Sequence, residues 1–145
     1  MAEPLIFTRI NLSKTNYSQL DNCGLIEYPD IAQLNNIYQQ YCVYKKFNSV
    51  RPLFKNEYYD ENTEILGYMH NNKLVAFSLI KLLDEENIEA VQFAWDYQNP
   101  ELRLGILSLH HECAHYKNRG YKYMHLGLVD DYKQTIDGFE ILGPL

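Results

Sequence analysis

Ile88 to Gly127 reads IEAVQFAWDYQNPELRLGILSLHHECAHYKNRGYKYMHLG, and the fold turns on it. Val91, Phe93, Trp95 and Tyr97 alternate with Gln92 and Asp96, a run rich in β-branched and aromatic types that suits a strand. From Ile106 the period lengthens. Ile106, Leu107, Leu109, Cys113, Ala114 and Tyr116 gather on one side of a helical wheel, with His111, Glu112 and His115 on the other. Lys117, Asn118 and Arg119 place positive charge in the last turn and Gly120 supplies the stop. Tyr121 to Leu126 reads as the next strand. Strand, helix and strand in succession require a crossover, with the strands parallel or splayed and the helix N-terminus at the first strand's carboxyl end. Anions and cofactors bind at such places. Two starts for the helix are open: Asn99-Pro100-Glu101 capping it directly, or a phosphate-cradling turn at Gly105.

Upstream, the pattern from Glu64 is sheet: ILGYMH, Asn71-Asn72, KLVAFSLIKLL, Asp84-Glu85-Glu86-Asn87, then IEAVQFAWDY. Asn-Asn tolerates the positive φ of a tight hairpin, and the acidic turn closes a second one, giving three antiparallel strands. Leu5 to Asn11 is a further short strand, followed by a polar stretch up to Gly24 that reads as loop. Pro29-Asp30 opens an amphipathic helix with Ile31, Leu34, Tyr38 and Tyr41 at spacings of three and four. Asn48 to Asn62 reads as irregular or as a short second helix. Asp130 to Leu145 has room for about one strand.

The chain has 145 residues, enough for one domain, 1–145, with a core that needs no staples. No run approaches the ~20 apolar residues of a membrane span. Met1-Ala2-Glu3-Pro4 lacks the basic start and apolar run of a signal peptide, so the expectation is a cytoplasmic protein with no membrane partner. Cys23, Cys42 and Cys113 are odd in number and widely spaced, which indicates neither a disulfide framework nor a cysteine zinc site. A formal net charge of −6 disfavours nucleic acid and steers a cationic acceptor favourably.

His111-Glu112-Cys113-Ala114-His115 spells H-E-x-x-H, which on a helix sets two imidazoles one turn apart with a glutamate beside them. A zinc peptidase is the minor alternative this raises. Its usual extension fails, because Asn118 stands in place of the glycine and Tyr121 in place of the third histidine; Glu140 and His125 are the other conceivable ligands. The preferred reading is no metal, with solvent-facing histidines. Ser108 has no nucleophile elbow around it, and Cys113 lies on the apolar side, so direct rather than covalent transfer chemistry is expected.

The order of strand, turn, basic residue with glycine, amphipathic helix, Arg119-Gly120-Tyr121 and strand resembles the acyl-coenzyme A site of the GNAT (GCN5-related N-acetyltransferase) superfamily over about Glu64 to Glu140. That family's Q/R-x-x-G-x-G/A loop corresponds here to Leu102-Arg103-Leu104-Gly105-Ile106-Leu107, where only Gly105 matches strictly. The resemblance implies an α/β fold with a mixed, mostly antiparallel central sheet, a splayed parallel pair and flanking helices. It implies an N-acyltransferase, most simply an N-acetyltransferase, passing an acyl group from acetyl-CoA or another acyl-CoA to an amine acceptor. Arg103, Leu104, Gly105, Ile106 and Leu107 would hold the pyrophosphate through backbone N–H groups. The strand end, with Trp95 and Tyr97, would pair with the pantetheine arm and polarise the thioester. Glu89 and Asp96 are the carboxylates placed to relay the amine's proton. Tyr132, in a segment similar to the family's Y-x-x-x-G-F but two residues longer, would protonate the leaving thiolate. Family members usually end in two more strands, so either the C-terminus is truncated or a partner chain, as in a homodimer, completes the sheet.

A second resemblance competes. LRLGILSL, RGYKYMHLGL and DDYK are similar to the GNAT-like half of arginyl-tRNA-protein transferases, where a leucine- and glycine-containing helix start replaces the pyrophosphate loop. It implies aminoacyl-tRNA as donor, against which stand the acidic charge and a small basic set of Lys45, Lys46, Lys117, Arg119 and Lys122. The coenzyme A reading is preferred of the two, and a non-catalytic GNAT-like binding module is the third possibility.

Overall fold

The computed structural model describes residues 6–46, 60–128 and 135–144. In chain order they form β1 (Ile6–Asn11), β2 (Cys23–Leu25), α1 (Ile31–Lys45), β3 (Thr63–His70), β4 (Lys73–Leu82), β5 (Asn87–Trp95), α2 (Leu104–Asn118), β6 (Tyr123–Leu128) and β7 (Phe139–Pro144). Short 3-10 turns lie at Leu12–Lys14 and Pro100–Leu102. The strands make one sheet in the order β2-β3-β4-β5-β6-β1-β7. Among the described residues β5–β6 pairs parallel and the other neighbours antiparallel. This is the mixed, GNAT-like arrangement that the order of strands and helices predicts.

Local chemistry accounts for most of the boundaries. The Asp30 carboxylate accepts the Gln33 N–H at 3.2 Å and so caps α1. Asn71 and Asn72 hold φ of 52° and 63°, the left-handed pair that a two-residue hairpin between β3 and β4 demands. The Asp84 carboxylate accepts the N–H groups of Glu86 and Asn87, both at 2.8 Å, and closes the β4–β5 turn.

Each face of the sheet carries one helix. Leu34, Ile37 and Cys42 of α1 pack on Ile65, Phe77 and Leu79. Leu109, Cys113 and Tyr116 of α2 pack with Leu66, Tyr68, Ile80 and Met124 on the opposite face. Strand β4 therefore serves both cores, Leu74, Phe77 and Leu79 on one side and Val75, Ala76 and Ile80 on the other.

Two findings differ from the sequence reading. The polar stretch after β1 is not a detached loop: it contributes edge strand β2, paired with β3 from Cys23 opposite Tyr68 to Leu25 opposite Leu66, and it straps across α2. Tyr17 stacks on His110 with ring centroids 3.9 Å apart, Leu20 N–H donates to His111 Nδ1 at 2.8 Å, and Lys117 Nζ donates to the Thr15 carbonyl. Covered by sheet on one side and strap on the other, α2 buries His111 and Glu112. The wheel's polar side is thus inside, while Ile106 and Leu107 are half-buried. The second difference is at the sheet's far arm, where β7 pairs with β1 and β1 lies between β6 and β7. The N-terminal strand thus supplies the middle strand of this arm from within the chain. Arg9 ties the three strands together, donating to Glu140 at 2.8 Å and lying 3.9 Å over the Tyr123 ring. Gly138 makes the close approach possible: its φ is +79°, and a Cβ there would meet the Asn11 carbonyl oxygen at 2.4 Å.

Candidate functional site

The parallel pair opens as soon as it forms. β5 and β6 pair at Asn87–Tyr123, Ile88–Met124 and Glu89–His125, and no further. On its other side β5 keeps pace with β4, but the register jumps from Ala90 opposite Ile80 to Gln92 opposite Leu79, leaving Val91 as a bulge. A bulge bends its strand and increases the local twist, which here carries the rest of β5 away from β6. A cavity of about 660 Å³ occupies the opening, walled by Phe93 and Trp95 of β5, Leu126 of β6, and Gly105, Ser108 and Glu112 of α2.

The start of α2 forms one end of this cavity. Pro100–Leu102 makes a 3-10 turn, Arg103 takes a left-handed φ of 50°, and the α-helix begins at Leu104 with no side-chain cap. Asn99 therefore does not cap the helix directly. Arg103 N–H already donates to the Pro100 carbonyl at 3.1 Å, and Leu107 N–H to the Arg103 carbonyl at 3.1 Å. The first helical turn then presents the N–H groups of Leu104, Gly105 and Ile106, which have no intrahelical partner. Three donors, not the five expected from Arg103 to Leu107, face outward with the helix dipole behind them. A Cβ at Gly105 would find nothing within 4 Å, so a ligand can approach the backbone there.

β5 offers a second set of donors. Asp96 N–H donates to the Val75 carbonyl at 3.0 Å, so the N–H groups of Trp95 and Phe93, opposite in phase, turn toward the open side. The Trp95 indole N–H is buried and has no hydrogen-bond partner among the described residues, a condition that costs ~1–3 kcal/mol unless something accepts from it. Next to it an aromatic wall builds up: Tyr97, at a left-handed φ of 57°, stacks on Tyr44 at 3.7 Å and tilts against Trp95 at 4.3 Å. Lys45 Nζ lies 5.9 Å from the Tyr97 ring centroid and, with Tyr41, lines the same cavity.

Glu112 is the acid of this space. It is 3% exposed and accepts from Tyr68 Oη at 2.5 Å and Ser78 Oγ at 2.7 Å, both on Oε2. Burial, reinforced by the Glu112 charge, holds the Tyr68 phenol well above its ordinary pKa, so it stays a donor. Burial likewise pushes the Cys23 and Cys113 thiols up to about 12, which removes them as thiolate nucleophiles.

Of the residues singled out from sequence, Trp95, Tyr97, Arg103, Gly105 and Ile106 line the cavity. Leu104 is buried in the core beneath the helix start and Leu107 is half-buried beside it. Glu89 sits at the last parallel pair, opposite His125, where the strands begin to part. Asp96 is buried and accepts Gln98 N–H at 3.0 Å, the pattern of an Asx turn. Neither carboxylate is among the cavity's lining residues. Tyr132 lies outside the described residues. The H-E-x-x-H helix turn is occupied by other partners: His111 Nδ1 accepts from Leu20, Glu112 from Tyr68 and Ser78, and among the described residues no three His, Cys, Asp or Glu side chains are grouped to hold a metal ion. Nor is any helix among them long and apolar enough to cross a membrane.

Sequence reasoning missed Glu112, Ser108, Lys45 and Tyr41. A signal existed: Gly105, Ser108, Leu109 and Glu112 fall at i, i+3, i+4 and i+7, one face of α2, and all four line the cavity.

Solved structures confirm the architecture. The C-terminal domain of a protein from Agrobacterium fabrum described as a lysylphosphatidylglycerol synthetase superposes with a TM-score of 0.65 at 13% identity, covering 86% of this chain and 47% of that one. A protein from Novosphingobium aromaticivorans described as an acetyltransferase of the GNAT family gives 0.61 at 12% identity, over 94% and 59%. A GCN5-related N-acetyltransferase from Kribbella flavida gives 0.56 at 10% identity, over 96% and 54%. At these identities the likeness is one of fold, and this chain spans about half the length of each. Comparison with curated proteins gives no match. The family model of the arginine-tRNA-protein transferase C terminus matches residues 30–137, which takes in α1, the β3–β4–β5 meander, the cavity and α2, and the chain belongs to that family.

Proposed function

We propose that the chain is a direct N-acyltransferase whose donor is an aminoacyl-tRNA, the aminoacyl ester entering the opening between β5 and β6 and leaving on an amine acceptor. The observation that carries this reading is the pairing of that opening with an uncapped helix start of three N–H groups. Three donors and Arg103 suit one phosphate; the 3′ end of a tRNA carries single phosphodiesters, whereas coenzyme A carries a pyrophosphate. Membership of the arginine-tRNA-protein transferase family points the same way, as does the likeness to a lysylphosphatidylglycerol synthetase, whose name also denotes transfer of an amino acid. The family match thus reverses the order of preference that the sequence alone suggests.

The chain's own contributions follow from its groups. Leu104, Gly105 and Ile106 N–H and the Arg103 guanidinium hold the phosphate. Trp95 main-chain and indole N–H groups face the ester carbonyl, where donors aimed at developing negative charge accelerate acyl transfer. Tyr132 is the proposed acid for the leaving oxygen, and Glu89 and Asp96 are the proposed relays for the amine's proton.

Acyl-coenzyme A is the second reading, favoured by one feature: the outward-turned N–H groups of Phe93 and Trp95 form a strand edge on which an amide-containing arm pairs like an added strand. Incubating the full chain with amine-bearing peptides and either a pool of charged tRNA or acetyl-CoA separates the two. Mass spectrometry of the peptides is expected to show addition of an amino-acid residue with charged tRNA and no acetylation with acetyl-CoA. Acetylation in place of aminoacylation would replace the first reading by the second.

A further inference from the structure

We infer that the ring of Tyr44, backed by Tyr97 at the edge of the cavity, is a stacking platform for an unpaired nucleobase in the 3′ single strand of the donor RNA. This rests on the aminoacyl-donor reading above and adds to it a contact surface on α1 and the part of the ligand that it holds.

Three aromatic rings make a continuous array at the wall of the opening. Trp95 and Tyr97 line the cavity with centroids 4.3 Å apart, and Tyr44 lies over Tyr97 at 3.7 Å with the planes 13° from parallel. Trp95 is buried, Tyr97 is half-buried and Tyr44 is 57% exposed, so the array runs from the cavity to the surface. One face of the Tyr44 ring is covered by Tyr97, and an exposure of that size leaves the other face open. A ring open on one face and backed by a second ring on the other offers what a splayed-out base requires, a flat surface at the end of a stack.

The array is fixed from both of its elements. Tyr97 keeps a left-handed φ of 57°, a conformation that a bulky residue holds only where its surroundings impose it. Gln98 donates to Gln40 Oε1 at 3.2 Å and so ties the segment after β5 to α1, one helical turn before Tyr44. A platform set in advance loses little conformational freedom on binding. Tyr41 and Lys45 of the same helix line the cavity, with the Lys45 ammonium 6.0 Å from the Tyr41 ring centroid and 5.9 Å from that of Tyr97. Stacked rings beside a cation suit single-stranded nucleic acid, the rings meeting bases and the cation meeting backbone phosphates. An apolar side chain of a peptide acceptor would use the rings and leave the charge unused, so the combination selects a nucleotide strand as the occupant.

The probes are fluorescently labelled RNA minihelices ending in CCA, one intact and three that each lack a different one of the last three bases. Fluorescence anisotropy measures their binding to the full chain as native, Tyr44→Leu and Tyr44→Phe. In the native chain, removal of at least one base is expected to weaken binding about tenfold or more, as loss of a stacked base does. Tyr44→Leu is expected to bring the intact minihelix down to the affinity of that abasic one, whereas Tyr44→Phe, which keeps the ring, is expected to behave as native. Equal binding of all four minihelices by the native chain would overturn the inference and leave the aminoacyl-donor reading standing; this comparison requires no variant, so a misfolded substitution cannot mask it. A base dependence that persists in Tyr44→Leu would place the base elsewhere and overturn the inference, as would its loss in Tyr44→Phe, which would assign the effect to the hydroxyl. Failure of the intact minihelix to bind would overturn both the inference and the donor reading.

Discussion

Residue by residue, the inner surface of α2 shows what a periodicity argument can and cannot see. Gly105 and Arg103 were legible because a glycine beside a basic residue at a helix start has a direct backbone meaning. Glu112 was not, since a wheel sorts residues by hydropathy and Glu112 is buried by the hydroxyls of Tyr68 and Ser78, which come from strands some 34 and more positions away. His111 was misread for the same reason: its cover, the 15–22 strap, is contributed by a stretch with no periodic signal. That burial has a consequence for stability. Desolvation, and then the neighbouring His115, bring the His111 pKa down to about 4. Above about pH 6.5 the imidazole is neutral whether folded or unfolded, and stability does not depend on it. Between 6.5 and 4 the unfolded chain takes up a proton that the folded chain refuses, so stability falls as pH falls. Allowing for solvent screening, the loss from this group is about 1–2 kcal/mol by pH 4.5. Urea unfolding at pH 7.5 and 4.5 should show it, and His111→Asn should reduce the difference; an unchanged difference in the variant would show that His111 does not carry the effect.

Among the elements, turns and caps were the most legible because each rests on local chemistry: Asp30 before α1, Asn71-Asn72 between β3 and β4, Asp84 before β5. The hairpin gives a clean test. Asn71 holds a φ of 52°, where a β-branched side chain is strained, so Asn71→Val should destabilise by about 1–2 kcal/mol while Asn71→Gly stays within about 0.5 kcal/mol. Paired chemical denaturation curves measure both, and equal costs would mean that the turn's handedness is not what fixes the hairpin. Less legible was the bulge at Val91. Nothing in the alternation Val91, Phe93, Trp95 marks it, since a bulge is a mismatch between two strands and belongs to neither sequence alone. Yet it is the bulge that parts β5 from β6 and creates the cavity. Strand β2, three residues long, likewise has too few positions to show a period.

At the scale of the whole molecule, the crossover of β5, α2 and β6 was readable because the change of period from two to 3.6 and back occurs within one continuous stretch. Placement of β1 was not. Its insertion between β6 and β7 joins residues more than a hundred positions apart, as Arg9 to Glu140 illustrates, and no local pattern encodes a pairing of that range. The assembled sheet thereby holds the parallel pair open on one side while β1 and β7 close the other arm, and α2 lies across the gap with its N-terminus at the mouth. The central claim is that a donor's phosphate sits on that N-terminus. The most direct measurement is a thermal-shift titration with an aminoacylated RNA minihelix ending in CCA, in parallel with acetyl-CoA, on the native chain and on Gly105→Val. Since a Cβ at Gly105 meets nothing within 4 Å, the variant should fold with a melting temperature close to native. A donor at a hundred times its dissociation constant should stabilise the native chain by ~2.7 kcal/mol, several degrees for a chain of this size, and the valine, occupying the phosphate's place, should abolish most of that shift. An equal shift in Gly105→Val, or no shift with either donor, would contradict the claim.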